Sequence, residues 1–217
     1  MRTPARITLV TGAESSLGAE VAQQLACPDT HVIVNFSRNA SRAESIAAAI
    51  RDAGGQASTL TADIADDTAT AAMIGTIAAR FGRLDTVILN QSGGPELGSD
   101  LGHGVRLNHG AQRRLAQLAM PLMPAGGRIV FVTSHQAHFF PNKAVPKGYA
   151  AIAASQRASE TALYTMRSEF TRAGIQFTVV SGNMADSAFA AAIANSATTP
   201  SPTGIVYVGG ANYLMTA

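Results

Sequence analysis

The sequence predicts an α/β domain built on a doubly wound, parallel, seven-stranded sheet with helices on both faces. Short β-rich runs alternate with longer helical periodicities along the whole chain, and the strand runs are apolar throughout rather than alternately polar. Alternation of this kind requires right-handed crossovers, so the strands run parallel and helices cover both sides. A length of 217 residues suffices for one domain with a sizeable core and forces no second.

The strand runs are Ile7 to Val10, His31 to Val34, Ser58 to Leu60, Thr86 to Leu89, Ile129 to Val132, Phe177 to Val180 and Ile205 to Val208, each read as buried on both faces. Leu17, Val21 and Leu25 form the stripe of a first helix. Ser41 with Glu44 reads as the capping box of a second, which carries Ile46 and Ile50 and stops at Gly54. Asp66 caps a third, whose Met73, Ile77 and Phe81 recur at every fourth position before Gly82. Ala185 to Pro202 is rich in Ala, Ser and Thr, a composition compatible with mobility.

Composition narrows the function. Hydrophobic residues make up 47% and charged residues 14%, a globular balance, and a net charge of +2 with scattered Lys and Arg argues against a nucleic-acid partner. The single Cys27 excludes an intramolecular disulfide and reads as a core thiol near a helix end in a reducing compartment. The opening apolar run is too short for a signal peptide and no later run is long enough to span a bilayer, so the expectation is a soluble, unexported, cytoplasmic protein.

Strand one leads into Thr11-Gly12-Ala13-Glu14-Ser15-Ser16-Leu17-Gly18 and then a helix. Gly12 permits a tight turn, Gly18 allows close helix–strand packing, and the amides at the helix start suit a pyrophosphate. Gly12, Ser15, Ser16, Leu17 and Gly18 are the candidate phosphate contacts of a Rossmann domain spanning 1–217.

This spacing, Thr-Gly-x-x-x-Gly-x-Gly, resembles that of the short-chain dehydrogenase/reductases, with Ser16 at the middle glycine. Phe81 to Asp85 followed by Val87 to Gly93 resembles the family's fourth strand and its Asn-Asn-Ala-Gly turn, here with Gln91 and Ser92 substituted. Asn90, Ser92 and Gly93 are therefore cofactor candidates by resemblance. Asp63-Ile64 resembles the Asp-Val pair whose carboxylate meets the adenine amino group. Asn108, Pro121 and Met123 match the family's fourth helix and its closing Pro-x-Met, and Gly127 to Ser134 resembles its fifth strand. The resemblance continues to Gly210 and covers nearly the whole chain.

At the end of strand two the chain has Asn35-Phe36-Ser37-Arg38-Asn39, with no acid to accept from an adenosine ribose. Arg38 and Ser37 suit a 2′-phosphate instead, so the expected cofactor is NADP(H) in preference to NAD(H), the alternative being a solvated arginine.

In the family a Ser orients the substrate carbonyl, a Tyr passes the proton, and a Lys four residues later acidifies the Tyr and holds the ribose. Ser134 matches the first and Tyr149 is the candidate for the second, but position 153 is Ala. Aligned backwards from Glu169, the Tyr position is Ile152 and the Lys position Gln156; a divergent branch places the Tyr one turn early, as here. Gln156 replaces hydrogen bonds but not a positive charge. A free tyrosine is about one part in a thousand phenolate at neutrality, so reduction, which uses the phenol, is favoured over alcohol oxidation. Asn108 takes the family's more structural role at a helix bend. His135, Lys143 and Lys147 are alternative proton-handling groups, and His103, His109 and His138 lack metal-ligand spacing, so no metal is expected.

The family inserts a substrate lid after strand six, which here is a shortened segment around 183–203, implying an open pocket. The expectation is an NADPH-dependent reductase of a small-molecule carbonyl, the alternative a catalytically weak or inactive NADP(H) sensor of the same fold. No membrane or nucleic-acid partner is expected. The resemblance also implies a homodimer or homotetramer through the family's fourth and fifth helices, here carrying Ala111, Leu115 and Leu118, and Ala158, Ala162 and Met166, residues that suit packing on the sheet equally well.

Overall fold

A computed structural model describes residues 5–90, 110–146, 148–183, 186–199 and 204–210. Asn108, Ser92, Gly93, Lys147, His103 and His109 lie outside the described residues.

The strands are β1 (Arg6–Val10), β2 (Thr30–Phe36), β3 (Gln56–Thr61), β4 (Thr86–Leu89), β5 (Arg128–Ser134), β6 (Gln176–Gly182) and β7 (Ile205–Val208). They form one seven-stranded sheet in the order β3-β2-β1-β4-β5-β6-β7, parallel at every pairing. The helices are α1 (Ser16–Gln24), α2 (Ala40–Asp52), α3 (Asp67–Phe81), α4 (Gln112–Ala119), α5 (His135–His138), α6 (Ala150–Thr165), α7 (Arg167–Arg172) and α8 (Phe189–Thr198).

Strand pleating divides the core in two. Ile7, Leu9, Ile33, Val87, Leu89, Ile129 and Phe131 point to one face, where Ile77 of α3, Leu115 of α4, Leu163 of α6 and Phe170 of α7 meet them. Val10, Val32, Val34, Ile88, Val130 and Val180 point to the other, covered by Val21 of α1, Ile46 and Ile50 of α2, and Phe189 and Ile193 of α8. Burial on both faces holds for the inner strands. It fails at both edges, where a strand has a neighbour on one side only: Thr59 and Leu60 of β3 are half-buried, and Ile205 and Tyr207 of β7 are exposed.

Asp66 caps α3 as expected, accepting from the Thr68 and Ala69 amides, and Gly82 ends that helix in the left-handed region at φ 68°. The second helix starts differently from the Ser41–Glu44 capping box. Asn39 is its N-cap, accepting from the Arg42 amide, and Glu44 pairs with Arg51 on the outer face. Asn is at least as good a cap as Ser, so the better-placed of two adjacent candidates is used. Cys27, expected in the core, is exposed just beyond α1, its thiol near the Thr30 hydroxyl.

The segment read as a shortened lid contains α8, which buries Phe189, Ala190, Ile193, Ala194 and Ala197. It packs closely on β6: a Cβ at Gly182 would lie 2.6 Å from the Phe189 ring.

Candidate active site

The direction of chain winding reverses between β1 and β4, and the crevice at their carboxyl ends is where an open α/β sheet binds ligands. The loop leaving β1 there is fixed to both neighbours. The Thr11 amide donates to Ile88 O at 3.0 Å and the Ala13 amide to Asn35 O at 3.0 Å, while Gly12 turns the chain at φ 57°. Ser15 caps α1 through its hydroxyl, which accepts from the Gly18 amide at 3.0 Å. The first-turn amides of Ser16 and Leu17 have no intrahelical carbonyl to meet, and the helix dipole adds partial positive charge there. Ser16 is exposed, so its side chain leaves the turn geometry intact.

Asn90, at the end of β4, locks the two loops together. Its amide nitrogen Nδ2 donates to Gly12 O at 3.4 Å and Ser15 Oγ at 3.3 Å, and its backbone amide to Thr11 Oγ1 at 3.1 Å. A Cβ on Gly18 would sit 2.5 Å from Gly12 O and 2.6 Å from Asn90 Nδ2, so the helix start requires a bare Cα. Gly12, Ser15, Ser16, Leu17, Gly18 and Asn90 are thus brought together in one backbone cradle at a helix N-terminus.

Just beyond β3, Asp63 is half-buried, its Oδ1 accepting from the Ala65 amide at 2.9 Å, and Ile64 beside it is buried. Arg38 is exposed and Ser37 half-buried at the end of β2. Here the reading that no acid is available is corrected. Glu14 reaches across from the glycine turn: its Oε1 accepts from the Ser37 amide at 3.3 Å and the Ser37 hydroxyl at 3.0 Å, its Oε2 from the amides of Arg38 at 3.4 Å and Asn39 at 2.7 Å. Burial alone raises its pKa, but the hydrogen bonds from Asn39, Ser37 and Arg38 outweigh that and the net shift is downward. A carboxylate inside the glycine motif was the available signal, legible in the sequence but attached to the wrong strand for the usual rule.

At the end of β5, Ser134 caps α5, its hydroxyl accepting from the Ala137 amide at 3.1 Å. Tyr149 stands at the start of α6, and its Oη lies 3.3 Å from Ser134 Oγ. The two candidates fifteen residues apart in sequence therefore meet, both half-buried. Ala153 and Gln156 follow along the buried side of α6, Gln156 only 3% exposed with its Oε1 lacking a hydrogen-bond partner. An orphaned buried carbonyl is a costly arrangement that a ligand hydroxyl would relieve.

Of the alternative proton-handling groups, His135 and Lys143 make other contacts. His135 is buried, Nδ1 against Ser181 Oγ at 2.9 Å and Nε2 against Val208 O at 3.1 Å, so it ties α5 to β6 and β7 instead of facing Tyr149. His138 lies between the fully buried Glu160 and the Tyr207 hydroxyl, and Arg157 pairs with the same carboxylate. Lys143 sits over the Phe139 ring, 5.6 Å from its centre. Among the described residues no group of His, Cys, Asp and Glu is arranged to hold a metal ion, and no helix is long and apolar enough to cross a membrane.

Residues 6–197 match the family model of the short chain dehydrogenases. A 1-cyclohexenylcarbonyl-CoA reductase of Streptomyces collinus is 32% identical over 188 residues, 84% of this chain and 65% of that protein. A hydroxynaphthalene reductase of Aspergillus fumigatus is 30% identical over 176 residues, 78% of this chain and 62% of its own length. The chain thus spans under two thirds of these relatives. Among solved structures, the promiscuous reductase LugOII, which catalyses keto-reduction at C1 during lugdunomycin biosynthesis, superposes with a TM-score of 0.82 at 24% identity over 98% of this chain and 99% of its own. A metagenomic short-chain oxidoreductase in complex with NADP superposes at 0.80 with 23% identity, over 95% of this chain and 97% of its own. The structural likenesses carry the fold; the family match, with the sequence relatives, places this chain among the short-chain dehydrogenases.

Proposed function

We propose that the chain reduces a small-molecule carbonyl with NADP(H), in the cytoplasm. The observation that carries this is the 3.3 Å approach of Tyr149 Oη to Ser134 Oγ at the same sheet edge as the glycine turn. The cradle of Gly12, Ser15, Ser16, Leu17 and Gly18 holds the pyrophosphate, Asp63 and Ile64 flank the adenine, and Asn90 keeps the two loops in register. Ser92, Gly93 and Asn108 are carried over from the family pattern. Ser37 and Arg38 are the 2′-phosphate contacts, and the NADP-bound short-chain oxidoreductase is in keeping with that reading.

A dinucleotide held in that cradle would supply hydride to the carbonyl carbon. Ser134 holds the carbonyl oxygen by a hydrogen bond, beside the Tyr149 phenol. Tyr149 gives its proton to that oxygen as negative charge builds on it, and recovers one from solvent through the open pocket. Gln156 offers its amide to a ribose hydroxyl and leaves the phenol uncharged by any cation, which suits reduction. Turnover of a carbonyl panel with NADPH, compared with Tyr149→Phe and Ser134→Ala, tests this: both variants fall about 10²–10⁴-fold while still binding NADPH. Equal turnover in all three proteins contradicts it.

Ala153, fully buried four residues after Tyr149, favours a second reading, a dinucleotide sensor that lacks the family's Lys. Tight NADPH binding without turnover of any compound supports that one. Self-association into a homodimer or homotetramer is part of the proposal, but Ala111, Leu115 and Met166 are consumed by the core. Leu118 packs against the same core, which leaves the exposed Ala158 and the half-buried Ala162 for an interface.

A further inference from the structure

The turn joining β2 to α2 converges three successive amides, those of Ser37, Arg38 and Asn39, and the Ser37 hydroxyl on one point. Successive amides aimed this way form a concave anion site. Glu14 fills it. Each of its oxygens takes two donors, which uses the acceptor capacity of a carboxylate.

The place matters more than the bonds. The end of β2, next to the glycine turn, is where a dinucleotide-binding sheet meets the adenosine ribose and distinguishes a 2′-hydroxyl from a 2′-phosphate. Proteins of this architecture ordinarily settle that choice with a side chain from β2 or just beyond it. Here the charge arrives from β1, before the pyrophosphate helix begins. A 2′-phosphate approaching Ser37 and Arg38 meets donors already committed to an anion, and meets that anion's charge as well. A ribose with a free 2′-hydroxyl demands neither.

We propose that Glu14 is the specificity-determining residue of the cofactor site: a resident anion that the 2′-phosphate of NADP(H) must displace from the 37–39 turn, and that NAD(H) leaves in place. The proposal rests on the dinucleotide-binding reading above. It makes selection between the coenzymes a contest for one set of donors, with Arg38 aiding the phosphate and Glu14 opposing it. The net downward pKa shift of Glu14 agrees, since it keeps the competitor ionised.

The experiment is equilibrium binding of NADPH and NADH to the whole wild-type chain, to Glu14→Ala and to Glu14→Gln, with thermal melts confirming that each is folded. Glu14→Ala is expected to raise the NADPH-to-NADH affinity ratio about tenfold, equivalent to ~1.4 kcal/mol. Glu14→Gln, which keeps an accepting oxygen but no charge, shifts the ratio the same way by less. An unchanged ratio in both folded variants, or weaker NADPH binding in either, overturns the proposal, the latter because Glu14 would then be organising the turn for the phosphate. A wild type that prefers NADH, with the ratio still moving in Glu14→Ala, removes the NADP(H) preference and keeps the role of Glu14. A wild type that prefers NADPH, with an unmoved ratio, does the reverse. Binding of neither coenzyme removes both.

Discussion

Tyr149 shows how little a residue number conveys without its neighbour. From the sequence its register was ambiguous, since neither Ala153 nor Gln156 supplies the family's lysine. Contact with Ser134 puts the phenol beside the end of β5 whichever register is chosen, because the short α5 between them brings the chain back to the same crevice. What remains open to chemistry is the missing charge. Gln156 is buried with an unpaired oxygen, so a lysine there would carry its cation into a low-dielectric site near the phenol's side of the helix. Gln156→Lys is therefore expected to raise alcohol oxidation at neutral pH about tenfold, the effect of one unit in the phenol's pKa. Initial rates with NADP+ and a secondary alcohol measure it; an unaltered rate means that the cation belongs at another position. Glu14 is the residue that sequence reasoning passed over. It stands within the glycine turn, yet its carboxylate acts at the end of β2, a displacement that only the pairing of β1 with β2 creates.

Among elements, the strands were the most legible, because burial on both faces demands continuous apolar runs that few loops imitate. β1, β4 and β5 extend at most two residues beyond the runs that foretold them. Caps were legible where one candidate stood alone, as Asp66 does, and ambiguous where Asn39 and Ser41 competed within a single turn. Side-chain contacts between elements were far less legible, and His31 illustrates one. It lies on β2, its Nε2 2.8 Å from Ser58 Oγ on β3, its ring 4.7 Å from that of Phe81 at the end of α3. Burial, followed by the nearby Arg80 charge, lowers its pKa to about 4, against a smaller opposing bond with Gln56. The folded protein thus resists protonating His31 where the unfolded chain, near pH 6.5, accepts the proton. Stability is complete above pH 6.5 and falls as the pH drops toward 4, by up to about 3 kcal/mol, with no further loss from this group below. Urea unfolding of wild type and His31→Gln between pH 4 and 7 checks the sign. The variant should lose this part of the slope; a slope identical to wild type would mean that other groups cause it.

For the whole molecule, topology does most of the functional work. Reversal of winding between β1 and β4 opens the crevice, and the parallel sheet delivers the glycine turn, Asn90 and Ser134 to one edge from strands far apart in sequence. That much was legible, since alternating strands and helices leave few other arrangements. The assembly was less so: small apolar residues on a helix suit a sheet or a second copy equally, and burial decides for the sheet at Ala111, Leu115 and Met166. With Ala158 exposed and Ala162 half-buried, light scattering is expected to give two or four times the chain mass of 22.3 kDa, and a monomer at all concentrations removes the oligomer from the proposal.

Every role assigned to an individual side chain presupposes that the cradle grips a dinucleotide. The most direct test is the melting temperature of the intact chain against increasing NADPH and NADH. A ligand bound only to the folded state at a hundred times its Kd adds about 2.7 kcal/mol, a rise of roughly 5–11 °C for a chain of this size. The account predicts a saturable rise of that order with at least one of the two coenzymes. A melting temperature that stays constant with both, up to millimolar concentration, would contradict it.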